Sequence, residues 1–73
     1  MKKIYVDKIL RGPFLIGANL SNCDLCGVNF LGSDVRKMDI RNSDLSKSLF
    51  LTPAQISACV INRYTKLPEY IGY

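Results

Sequence analysis

The sequence predicts an all-β solenoid of short strands, closed at its C-terminal end by a short capping α-helix. Three observations predict it: a five-residue apolar period, an Asp or Asn beside nearly every apolar centre, and a helix-start signal where the period ends. The centres are Leu20, Leu25, Phe30, Val35, Ile40, Leu45 and Phe50, all large and apolar. In a chain that is 48% hydrophobic, chance gives such a run about 0.6% of the time.

The residue before each centre is Asn19, Asp24, Asn29, Asp34, Asp39 and Asp44, and only Leu49 breaks the series. Six of the chain's ten Asp and Asn residues fall in this one register. Two places before the centre the residues are mostly small: Ala18, Cys23, Val28, Ser33, Ser43 and Ser48, with Met38 the exception. A period of five fits neither a helix nor a plain strand. It fits a short extended piece followed by a corner, repeated. In the extended piece the centre and the residue two before it face inward together. The Asp or Asn between them faces out, beside the corner, where such side chains hydrogen-bond to nearby backbone. Gly17, Gly27 and Gly32 fall at the corners themselves.

Ala18-Asn19-Leu20-Ser21-Asn22 and Cys23-Asp24-Leu25-Cys26-Gly27 resemble the A(D/N)LXX unit of pentapeptide-repeat proteins. The resemblance covers roughly residues 13–52, from Gly12-Pro13 onward. Leu51-Thr52-Pro53-Ala54-Gln55-Ile56 and the later Thr65-Lys66-Leu67-Pro68 resemble the segment that often ends these proteins. The resemblance implies a right-handed quadrilateral β-helix, four units to a coil, of about two coils here by the repeat count. Residues 20 apart then stack: Leu20 on Ile40, Leu25 on Leu45, Phe30 on Phe50, Met38 beneath Ala18. Asn22 over Asn42 makes an amide ladder, and Asp24 over Asp44 is a like-charge pair left to solvent screening.

The chain reads as one domain, 1–73: an N-terminal extension at 1–12, coils at 13–52, a capping helix and tail at 53–73. In the extension Lys3 and Lys8 would fall at inward positions, so it reads as an irregular strand with Ile4 and Val6 on one side. Thr52 and Gln55 form a capping box with Pro53 at the first helical position. Ile56, Cys59 and Val60 share one helical face that covers the last coil, with Leu67, Tyr70 and Ile71 beside it.

A chain of 73 residues is short for an unaided core. It expects a homo-oligomer or a longer parent protein, with the open N-terminal edge as the first contact and the C-terminal tail as the second. Apolar residues at outward positions are the candidate interface: Ile4, Val6, Phe14, Ile16, Leu31 and Leu51, with Leu31 and Leu51 stacked. Leu49 faces out too.

The net charge is +4, with the basic residues scattered. Arg36, Lys37 and Arg41 form a candidate anionic-partner patch, but nucleic acid is not the expected partner. No apolar run approaches membrane-spanning length, Asp7 and Lys8 interrupt any leader-like start, and the expected address is cytoplasmic. Three cysteines without a secretion signal are expected as thiols. Cys23-Asp24-Leu25-Cys26 is a CxxC, yet the register sends Cys23 inward and Cys26 outward, and the chain has no histidine. No metal, cofactor or catalytic residue is expected. The recurring carboxylates are explained as corner residues.

The function expected is a non-enzymatic protein-interaction or scaffolding module with an unidentified protein partner, self-associating. Some pentapeptide-repeat proteins mimic duplex DNA and modulate a type II topoisomerase. That role is the alternative reading, disfavoured because such mimicry demands a long, densely negative rod and this chain is short with a net charge of +4.

Overall fold

The computed structural model describes Lys2–Lys3 and residues 15–71. Its repeating device is a corner held by a side chain. The Oδ1 of Asn19, Asp24, Asn29, Asp34, Asp39 and Asp44 accepts the backbone N–H two residues on, at 2.9–3.3 Å. This Asx bond fixes the start of each bend. Five of the apolar centres then accept an N–H from three residues on: Val28 to Leu25, Ser33 to Phe30, Met38 to Val35, Ser43 to Ile40, Ser48 to Leu45. The residue between has φ of +56° to +83° at Gly17, Asn22, Gly27, Gly32, Lys37 and Asn42. Five of those six are Gly or Asn, the residues that tolerate left-handed backbone. Lys37 is the exception.

Corners every five residues bring the chain back over itself every twenty. Parallel bridges join Asn19 to Asp39, Asp24 to Asp44 and Asn29 to Leu49. Above them β1 (Lys2–Lys3) pairs in parallel with β2 (Cys23–Asp24), so two residues of the N-terminal extension continue the stack. Ile4, Val6 and Phe14 lie outside the described residues.

The interior is the predicted one over most of its length. Leu15, Leu25, Val28, Phe30, Val35, Met38, Ile40 and Leu45 are all buried, and Leu20 is partly so. The small inward positions include three buried serines. Ser43 Oγ donates to the Leu20 carbonyl and accepts the Cys23 N–H, and Ser48 Oγ donates to the Leu45 carbonyl. Such bonds remove the desolvation penalty of a buried hydroxyl. Among the described residues no buried side-chain N or O lacks a partner.

One expectation fails at the end of the period. Phe50 does not stack inside on Phe30. It takes φ +62° and lies exposed, while Leu51, expected outward, is turned in and buried. The cause is local. Leu49 stands where six earlier units have an Asx residue, so no side chain of its own unit holds the next corner.

The chain then enters α1 (Pro53–Ala58). The Thr52 side chain accepts the Gln55 N–H, and the Gln55 side chain accepts the Thr52 N–H. Gln55 Nε2 also donates to the carbonyls of Phe30 and Ser33, plugging the edge of the layer above. Ile56 is buried. The expected helical face of Ile56, Cys59 and Val60 is cut short, because Cys59 turns extended at ψ 163°. Val60 instead continues the stack under Asp39, and Lys66 under Asp44. Asn62 Nδ2 donates to Asn42 Oδ1 at 3.0 Å and its Oδ1 accepts the Asn42 N–H. The amide pair expected of Asn22 and Asn42 thus forms one layer lower. Asp24 and Asp44 do stack, but the pair is not left to solvent alone, because Lys66 bridges to Asp44 from the layer below. The Ser46 hydrogen bonds lower the Asp44 carboxyl, and the Lys66 charge adds to the effect.

Candidate interaction surface

The site begins where the Asx series stops. By analogy with every earlier unit, the Leu51 N–H should be held by residue 49, and Leu49 offers no acceptor. Tyr70 supplies one from the tail. Its Oη accepts the Leu51 N–H at 3.3 Å and donates to the Ser48 carbonyl at 2.8 Å. The 3-10 helix Glu69–Ile71 positions it, anchored by buried Ile71.

Leaving the period turns apolar side chains outward. Leu31 is 67% exposed, Phe50 56% and Leu49 45%. With Leu51, Thr52 and Tyr70 they line one groove of about 510 Å³. None of these six residues carries a formal charge. Phe50 stands at its edge on backbone that a bulky residue rarely adopts. The exposed apolar side chains are contiguous here, which makes this the candidate surface.

The repeat geometry has a counterpart among known proteins. A model of pentapeptide repeats matches residues 10–48, in eight copies, which is more than half of the chain. The chain belongs to the pentapeptide-repeat family. Pentapeptide repeats generally build β-helices that serve as non-catalytic interaction modules. No curated protein and no solved structure matches the chain.

The other expected site residues of this pentapeptide-repeat chain are placed as follows. Ile16 is exposed on the same corner as Arg36 and so on a different corner from the groove. The basic patch is internally neutralised in part. Arg36 pairs with Asp34 and Arg41 with Asp39, each at 2.8 Å. The arginine hydrogen bonds hold both carboxyls below the usual aspartate range and raise both guanidinium groups. Lys37 is exposed. Cys23 is buried, while Cys26, expected as an exposed thiol, is half-buried. The hydrogen bond to Asp24 pushes the Cys26 thiol up, and burial pushes Cys59 up to about 11. High thiol pKa values oppose the thiolate that nucleophilic or metal chemistry needs. None of the three cysteines forms a disulfide. Among the described residues no group of three or more Cys, Asp or Glu is placed to hold a metal ion, and no helix is long and apolar enough to cross a membrane.

Phe50 and the Tyr70 hydroxyl are the residues of this candidate surface that pattern reading misses. The signal for Phe50 was the missing Asx at Leu49, while the Tyr70 hydroxyl left none in the local sequence.

Proposed function

We propose that the chain is a non-enzymatic protein-interaction and scaffolding module, a quadrilateral β-helix of about two coils that associates with itself. The observation that carries the proposal is the uncharged groove at the end of the period, walled by exposed Leu31, Leu49 and Phe50. The carboxylates that would otherwise suggest acid–base chemistry are committed to the corners, each holding a backbone N–H.

Light scattering over a concentration series, beside far-UV circular dichroism, tests the reading. A β-rich protein whose mass rises toward that of a dimer, and falls back on Leu31→Lys, is the expected result. A folded monomer at every concentration sinks self-association.

A further inference from the structure

Away from the groove, the outward corners of the second layer carry the chain's most ordered cations. Asp34 takes Nε and Nη2 of Arg36 side-on, at 2.9 and 2.8 Å. Asp39 takes Arg41 in the same way, at 3.1 and 2.8 Å. Each carboxylate is itself fixed, because its Oδ1 accepts the backbone N–H of that arginine. A guanidinium has more N–H groups than a side-on carboxylate uses, so the Nη1–Nη2 edge is left for a second carboxylate. Both arginine side chains are more than half exposed, at 68% and 53%. The forks are thus aimed before any ligand arrives, which lowers the entropy lost on binding.

Lys37 stands between them on backbone of φ +59°, which an L-residue other than Gly or Asn rarely adopts. Lys47, at the same place in its own unit, does not adopt it. The Lys37 side chain is exposed and joins no ion pair among the described residues, so the strain brings no return within the fold. An outlier of that kind points to a function. One layer down, the Asn42–Asn62 bond brings Arg63 to the corner of Arg41. The Arg63 guanidinium lies over the Tyr64 ring and donates to its neutral hydroxyl, so its charge is also unpaired.

We infer that this edge of the stack binds an acidic segment of a partner protein, whose carboxylates take the open arginine edges and Lys37. The inference rests on the reading of the chain as a protein-interaction module, but not on self-association. Arg36, Lys37, Arg41 and Arg63 outnumber Asp34 and Asp39, so the surface attracts acid. The same two carboxylates oppose a continuous phosphate backbone, whose affinity comes from neutralising each phosphate with a cation. Discrete carboxylates, each meeting one fork, fit the alternation.

Fluorescence anisotropy of a labelled oligoglutamate peptide at low salt reads the contact, beside a thermal melt of each variant. Arg41→Gln should weaken binding about tenfold, as for a lost charged hydrogen-bond pair. Lys47→Gln removes the same charge from a different corner and should leave binding unchanged. Lys37→Gly should weaken binding about threefold and raise the melt, because glycine relieves the corner. Equal losses at Arg41 and Lys47 overturn the inference, since net charge alone then draws the probe. Full binding by Lys37→Gly, or a lower melt, overturns it as well. An oligothymidylate of equal charge bound more tightly than oligoglutamate overturns it in favour of nucleic acid. An unaltered chain that ignores oligoglutamate also overturns it, and light scattering then shows separately whether the self-associating module stands.

Discussion

The upper faces of the stack and its lower end solve the same problem with different means. In the faces, corners recur every five residues, bridges join residues twenty apart, and each bend is held by its own Asp or Asn. At the lower end the partners are 21 and 22 apart, Asp39 with Val60 and Asp44 with Lys66. There the donors and acceptors come from elsewhere: Gln55 on the helix, Asn62 and Tyr70 in the tail. The regular part carries its hydrogen bonds within the unit. The end borrows them, and the borrowing leaves apolar side chains on the outside.

The sharpest way to break that comparison is to truncate the same residue type in both regions. Phe30→Ala opens the fully buried interior and should cost about 3–5 kcal/mol, whereas Phe50→Ala should leave the stability of the isolated chain nearly untouched. Urea melts of the two variants decide it. Equal losses would mean that Phe50 belongs to the core after all. Next in size is the borrowed acceptor. Tyr70→Phe strands the Leu51 N–H and the Ser48 carbonyl and should cost about 1–2 kcal/mol. Adding Leu49→Asn puts back an acceptor of the kind the other units use, so the double variant should recover part of the loss. A double-mutant cycle without coupling would separate Tyr70 from the missing Asx residue. Smaller still is the strained corner at Lys37, whose φ is +59°. Lys37→Gly should raise stability by up to about 1 kcal/mol, visible as a higher midpoint, while Gly27→Lys should lower it.

The smallest effect is electrostatic. Asp34, Asp39 and Asp44 have folded values below the ordinary 3.8, so the unfolded chain binds protons first as the solution is acidified. Their contribution is complete above that value and is lost as the pH falls through the folded values. The thermal midpoint should therefore be flat in this respect near neutrality and decline in acid. Asp44→Asn keeps a side-chain carbonyl for the corner and should soften the decline. An unchanged acid slope would show that Asp44 does not contribute.

The regular part of the fold was legible because its physics is local. A side chain that bonds two residues on and a centre that faces in at a fixed offset leave a period in the sequence. The capping box at Thr52 and Gln55 was legible for the same reason. The end was read too far. Phe50 satisfies the apolar period by composition, and only the absence of an Asx residue at Leu49 announces that the corner will fail. Val60 fits a helical face equally well until Cys59 turns extended. Tyr70 leaves no local trace, because its hydroxyl serves residues 19 and 22 positions earlier. The candidate surface was half visible: Leu31 by register, Phe50 not at all, and Leu51 on the wrong side.

The Tyr70 plug also imposes an order of events on the growing polypeptide. The Ser48 carbonyl and the Leu51 N–H emerge from the ribosome well before the hydroxyl that satisfies them. Until Tyr70 follows, the nascent stack presents an unfinished rim beside its apolar cleft. Strand edges in that state recruit other chains, so a chain whose tail has not yet docked is the form of this protein most open to its neighbours.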